Sequence, residues 1–474
     1  MTLIQILVFS TLSALIAWLV PARWRGWFIL GGSLLAVYWM QTAISIRSLD
    51  FWLPTASIGL TLLTWSVTQP KGKSAFYQNR TALLFIIAIL LVISLTRYLG
   101  PVCCLTATRP PQFLLVLIGL STILGLATLL LLYPDKTRVI SALIVILLCL
   151  FIILKSEWVS QQASLGLRTL TGQDPSLASP LDIRWLGFSY LAFRLLHVLR
   201  DAQLGRLPEF SLQEFVSYAI FFPAYPSGPI DRAQRFIQQD FRRFQNIDFS
   251  QAAVGGQRIL IGIFKKFVLA DSLALMALNA QNSSQIGSSL WTWVLLYAYG
   301  LRLYLDFSGY IDIALGLGKL LGITLPENFN KPYLKTNLTA FWNSWNITLA
   351  SWFRIYFFNP ITRSMRQSQF KFPAWLIIFI GQFSTMALIG LWHGITWNYT
   401  LWGVWHALGL FVHNRWSEWL RQRHVLDEER INQNRMLKLG GWFITFNYVT
   451  LGWVWFALPS PSASLAVFKT LFGL

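Results

Sequence analysis

Two short clusters of polar and aromatic residues interrupt an apolar stretch late in the chain. The first reads Phe341-Trp342-Asn343-Ser344-Trp345-Asn346 and is followed by Ser351-Trp352-Phe353-Arg354. The second reads Gly390-Leu391-Trp392-His393-Gly394 and is followed by Trp397, Trp402 and Gly403. An imidazole titrates near neutral pH and can take and return a proton in a general-base step. Within hydrocarbon, or at its edge, a titratable side chain is costly and reads by default as functional. His393 carries that reading. Trp392, Trp397, Trp402 and Trp405 supply rigid apolar walls for it, and Gly394 permits close backbone approach. The same residues also fit an interfacial aromatic belt with a hydrogen-bonded His at a helix start. Composition alone leaves both open.

No other catalytic signature is present. The sequence has no Gly-rich phosphate loop, no GxSxG elbow and no HExxH. Its three cysteines, Cys103, Cys104 and Cys149, give no CxxC or zinc spacing, so no metal is expected. Of the five histidines, His413 and His424 lie in or beside a charged loop and read as solvated. His406, on an apolar helix, reads as a hydrogen-bonded structural residue. His197 lies one turn from Arg194 and from Arg200 and would line a polar groove.

The elements that must position these groups are membrane helices. Of 474 residues 55% are hydrophobic and 12% charged, with a mean hydropathy of +0.53. A soluble chain carries about twice that charged share. Apolar runs such as 3–20, 113–132, 139–154 and 372–391 approach the roughly 17–25 residues a spanning helix needs. Barrel strands would alternate in polarity over about ten residues instead. The expected fold is an all-α, polytopic membrane protein of about 11–14 segments, some of them broken or re-entrant around a central tunnel.

The net charge of +19 comes from 38 basic and 19 acidic residues. The basic residues sit in short loops, as in Lys71, Lys73 and Arg80, which fits the positive-inside rule and anionic headgroups rather than nucleic acid. Arg23 and Arg25 follow the first apolar run, so a retained first helix with its N-terminus outside is expected. Residues 1–160 read as plain scaffold helices and 161–182 as a polar linker in which interfacial amphipathic helices are plausible. From 183 to 474 Pro, Gly and polar residues enter the apolar segments, which requires a packed or cavity-containing core to satisfy the freed backbone. Two net-basic loops, 361–371 and 414–438, flank a pair of segments and leave His393 either toward the side opposite the cytoplasm or deep in the fold.

Several separated motifs, in order, resemble the membrane-bound O-acyltransferase superfamily. They are Asn328-Phe329-Asn330-Lys331-Pro332, Phe341 to Asn346, and Leu391-Trp392-His393-Gly394. Phe221 to Arg232, Gly262-Ile263-Phe264-Lys265-Lys266 with Asp271, and Tyr304 to Tyr310 are similar to its bacterial branch, that of alginate O-acetylation and teichoic-acid D-alanylation. The resemblance covers roughly 183–455 and implies catalytic residues at His393 and Asn346. The bacterial polysaccharide branch usually has His where this chain has Asn346; Asn is typical of lipid- and protein-modifying members. An Asn cannot act as a base, so His393 alone would be the base, and the Asn346 amide would stabilise an oxyanion or hold a substrate.

Substrate contacts are expected at Trp342, Asn343, Trp345, Arg354, Asp306 and Trp392, with Trp352 as a further wall. An acid in an apolar segment needs a partner, and Arg354 or Lys319 would serve Asp306. The implied reaction moves acetyl or another short acyl from a thioester to a hydroxyl of a cell-envelope polysaccharide. The donor is acyl-CoA or an acyl-carrier-protein thioester on the cytoplasmic side, and no cofactor stays bound. Membrane lipid, the glycan acceptor and accessory envelope-modification proteins are the implied partners, in a bacterial cytoplasmic (inner) membrane. Other readings are a lipid or lysophospholipid acyltransferase, a transporter or flippase, and an inactive scaffold of an envelope-modifying complex.

Overall fold

The computed structural model describes residues 1–70, 74–100, 105–244, 247–423 and 434–474. The readings on Lys71, Lys73, Cys103, Cys104 and His424 lie outside the described residues. Among the described residues the regular structure is helical, without a strand, and an isolated bridge joins Phe329 to Trp345. Eleven of the described helices have 16 residues or more. Four spans, Arg80–Tyr98, Phe113–Leu132, Lys136–Lys155 and Ala374–His393, are both long and apolar enough to cross a membrane, and Leu3–Leu19 is apolar but shorter. Others of similar length, such as Trp397–Gln422, carry His, Arg and Glu inside them. The length-based expectation of 11–14 segments therefore includes helices that are not uniformly apolar.

Outward-facing residues on the apolar spans are themselves apolar. Leu84, Leu114, Leu129 and Val145 are all exposed. In water each such surface would lose about 25 cal/mol per Å² relative to burial, so lipid is the solvent these faces fit. The protein is a multi-pass, all-helical membrane protein.

The chain divides into two compact units, Met1–Leu260 with Asp312–Pro326, and Ile261–Ile311 with Glu327–Leu474. In the first, Pro223, Pro226 and Pro229 prevent a continuous helix and leave carbonyls without helical donors. Buried Arg194, on helix Phe188–Gln203, supplies donors: its guanidinium reaches the carbonyls of Ala219 and Ala224 at 2.9 Å and of Pro229 at 3.5 Å. His197, expected to line a polar groove, is instead buried, and its Nε2 accepts the Ala233 N–H at 3.3 Å. Both residues are used up in closing a broken backbone.

The 161–182 stretch is folded. Helix Glu157–Leu170 turns its polar side inward, with Ser160, Ser164 and Arg168 buried, and leaves Trp158 and Leu170 71% and 84% exposed. Ser164 Oγ and Arg168 Nε donate to Asp182 at 2.7 and 2.9 Å. A helix with its apolar side outward fits an interfacial position. Burial pushes the Asp182 carboxyl up, but Arg168, the Ser164 hydroxyl and the Ser179 N–H outweigh it and hold it below the usual carboxylate range. The stabilisation is therefore present above the ordinary carboxylate pKa and lost as pH falls through the lowered one. Asp182→Ala leaves Arg168 buried without its partner and should cost about 3 kcal/mol. The check is the thermal midpoint of the detergent-extracted protein, and the difference from the native chain should shrink in acid.

Candidate active site

The candidate site is built within the second unit. Helix Ala374–His393 ends at His393, and after a short turn helix Trp397–Gln422 runs back along it, with Thr396 capping its start by accepting the Tyr399 N–H. Two glycines let the backbones touch. A Cβ at Gly390 would lie 2.2 Å from the Tyr399 carbonyl oxygen, and one at Gly403 would lie 2.5 Å from that of Met386. No side chain fits either place, so the turn that presents His393 is fixed against the second helix.

Four aromatic rings pack against the His393 imidazole. Trp392 lies 4.5 Å away, Trp402 5.4 Å and Tyr399 5.9 Å, while Phe456 of helix Arg435–Ala457 lies 4.8 Å away. Trp392 and Trp402 are therefore walls, as expected. Trp397 is not: it is 76% exposed. Trp405 turns away to donate its Nε1–H to the Tyr448 carbonyl at 3.0 Å.

Trp402 also links the two motif clusters. Its ring stands 5.7 Å from Trp342 and 6.0 Å from Trp453, and Trp453 in turn packs 5.3 Å from Trp345. The residues read from sequence as two separate clusters are thus joined by a continuous set of rings. His406, expected to be hydrogen-bonded, is fully buried, yet neither ring nitrogen has a hydrogen-bond partner among the described residues. It packs by its ring, 5.0 Å from Trp342 and 5.0 Å from Trp402.

Asn346 stands at the start of helix Ile347–Phe353 with φ 44° and ψ 54°. This left-handed conformation costs most L-residues about 1–2 kcal/mol, and Asn tolerates it better. The side chain is buried, and its Oδ1 has no hydrogen-bond partner among the described residues. The flanks are held. The Asn330 N–H donates to the Ser344 carbonyl at 3.0 Å, Phe329 bridges Trp345, and the Ile347 N–H donates to the Asn328 carbonyl at 3.0 Å. Asn328, in the facing loop, was read in the sequence only as part of a motif and not as a contact of this segment. Lys331 also has positive φ, at 47°.

Other expected contacts are used within the protein. Arg354 donates to Asn343 Oδ1 at 2.5 Å, so these two candidates hold each other. Asp306 does not pair with Arg354 or Lys319: Lys266 Nζ lies 2.5 Å from its Oδ1. Lys266 belongs to a widened, π-helical turn, Phe264–Ala270, that faces helix Ser289–Leu320. Trp352 packs 5.3 Å from both Phe353 and Tyr356.

The chain belongs to the membrane-bound O-acyltransferase family, whose model matches residues 34–451. It is accordingly a membrane acyltransferase. A teichoic acid D-alanyltransferase of Streptococcus thermophilus is 36% identical over 58% of this chain and 68% of that protein. A peptidoglycan O-acetyltransferase of Helicobacter pylori is 33% identical over 56% of this chain and 48% of its own length. A probable alginate O-acetylase of Pseudomonas aeruginosa is 32% identical over 61% and 51%. The matches span about half the length of the last two relatives.

The left-handed position gives a direct test of local fit. Asn346→Ala should lower stability by about 1–2 kcal/mol through backbone strain, whereas Asn346→Gly should leave it near native. Thermal unfolding of the detergent-extracted variants separates the two.

Proposed function

We propose that this protein transfers a short acyl group from a thioester donor to a hydroxyl of a cell-envelope polymer, with His393 as the base. The single observation that carries the reading is the placement of His393. It is held at a fixed helix end, walled by four aromatic rings and linked through Trp402 to the Asn346-bearing segment. The matched relatives named for teichoic acid, peptidoglycan and alginate support the acceptor class, since all three polymers present hydroxyls.

In the proposed step the acceptor oxygen attacks the thioester carbonyl carbon while His393 takes the hydroxyl proton. The carbonyl electrons move to oxygen, and the resulting oxyanion needs a fixed donor. The Asn346 amide is placed in that role, or in holding the acceptor. Collapse of the intermediate breaks the C–S bond, and the imidazolium returns its proton to the departing thiolate. One ester forms, one thioester is lost, and His393 ends as it began. Since an amide cannot take a proton, a single base must serve both halves of the reaction.

The aromatic walls support this chemistry in two ways. They exclude water that would hydrolyse the thioester, and their faces suit a transient imidazolium by cation–π attraction of about 1–2 kcal/mol when desolvated. Net-basic segments such as 361–371, with Arg363, Arg366 and Lys371, suit an anionic donor at the cytoplasmic side, either acyl-CoA or a carrier-protein thioester. In this reading the N-terminus lies outside, in a bacterial inner membrane, and accessory envelope proteins complete the delivery.

The test is the ester content of the envelope polymers in three strains: native, His393→Ala and deletion, with protein levels matched by immunoblot. His393→Ala should lose ester to the level of the deletion, in keeping with a general-base contribution of about 10²–10⁴-fold. Ester unchanged in the deletion would reject the acceptor class. Ester lost only in the deletion would make the chain a scaffold.

A further inference from the structure

We propose that Asn328 is a positioning residue that holds Asn346 in its left-handed conformation and so aims the Asn346 amide. The proposal rests on the role given to Asn346 above and adds what enforces it. Asn328 is fully buried. Its backbone carbonyl accepts the Ile347 N–H at 3.0 Å. Its side-chain Oδ1 accepts twice more, from the Thr348 N–H at 2.9 Å and the Thr348 hydroxyl at 2.7 Å. One residue thus secures both positions that follow Asn346.

The preceding side is secured by Asn328's neighbours. Phe329 bridges Trp345 and Asn330 donates to the Ser344 carbonyl, so the 328–330 strip runs alongside 344–348 and brackets Asn346. Among the described residues, three non-glycine positions have positive φ; Asn346 lies within this pair of segments and Lys331 directly follows the 328–330 strip. Strained backbone persists only where its surroundings over-determine it, and it gathers at functional sites. The first four N–H groups of a helix, counted from its cap, have no partner within it, and Asn328 captures those of Ile347 and Thr348 at the start of helix Ile347–Phe353. The left-handed turn and the helix start are thereby a single hydrogen-bonded unit. Without the Oδ1 acceptor, the ordinary right-handed conformation becomes accessible at 346 and the amide swings away. An apolar side chain of similar size would fill the space and leave the Thr348 donors unmet.

A double-mutant cycle separates positioning from general structural support. The readout is the initial rate of ester incorporation into envelope polymer per unit of folded full-length protein. Asn328→Ala should lower the rate on the order of 10- to 100-fold in the native background. In an Asn346→Gly background, which has no amide to aim, it should lower it less than about twofold. Asn328→Asp, which keeps the acceptor, should lie closer to native than Asn328→Ala. Equal fold-losses in both backgrounds would overturn the positioning role while leaving the acyl-transfer reading intact. A native rate in Asn346→Gly would overturn both roles, and an active His393→Ala would overturn the base assignment alone.

Two further measurements keep the question decidable. Where Asn328→Ala does not accumulate, Thr348→Val removes one hydrogen bond of the same clamp from the other side and enters the cycle in its place. Where the Asn346→Gly rate is too low to read, the cycle is taken on the thermal midpoint in detergent. Glycine carries no left-handed strain to release when the clamp is lost, so the shift caused by Asn328→Ala should be larger in that background, and equal shifts would overturn the proposal.

Discussion

Inside hydrocarbon a peptide group without a partner costs several kcal/mol, and there is no water to offset the loss. That constraint bears on two places where this chain departs from a helix. At 221–231, three prolines interrupt the helix and a buried arginine, Arg194, donates to the carbonyls of Ala219, Ala224 and Pro229. At 344–348 the replacement is neutral, an asparagine side chain and the backbone of its own loop. In both, an irregular segment is paired with a dedicated side chain from elsewhere in the same unit. Asn346 sits in the second of these repairs, so the geometry of the candidate site and the solvation of the backbone are one problem.

The rings around His393 answer a different demand. Interiors pack at crystal-like density, and aromatic pairs favour tilted or edge-on contacts at about 4.5–7 Å. Trp345, Trp453, Trp402 and His393 follow one another at 5.3, 6.0 and 5.4 Å. Large side chains with few rotatable bonds lose little freedom when they are held this way. The aromatic content that suggested an interfacial belt serves, at these positions, as a rigid internal frame. His406 belongs to the frame as a ring and not as a hydrogen-bonded group, which is why its apolar neighbours were a poor guide to its environment.

What could be read in the sequence was whatever depends on local pattern. Length and apolarity of runs established membrane helices, and ordered motifs established the family. His393 stood out because a titratable group beside tryptophans is unusual in apolar sequence, whereas Asn346 came from the resemblance alone. Contacts made across the chain were not legible. The Asp306 partner is Lys266, 40 residues earlier and on a π-helical turn that no spacing rule would favour. Phe456 touches His393 from a third helix and carries no signal of its own. The 161–182 stretch was read as polar because its serines and arginine dominate its composition, whereas their inward direction is decided by Asp182. Asn328 was visible as part of a motif, but its task depends on a hydrogen bond to Thr348 that only the folded loop creates.

The glycine contacts between Ala374–His393 and Trp397–Gln422 have one more implication. Carbonyl oxygens of each helix occupy the space that side chains would need at Gly390 and Gly403. Such seats act like teeth. The helices cannot slide past each other by a fraction of a turn, because any intermediate register drives a carbonyl into a neighbouring Cβ. The imidazole at the end of the first helix is therefore indexed to the second and cannot follow a moving partner over several ångströms. Whatever meets that imidazole has to arrive at a stationary ring.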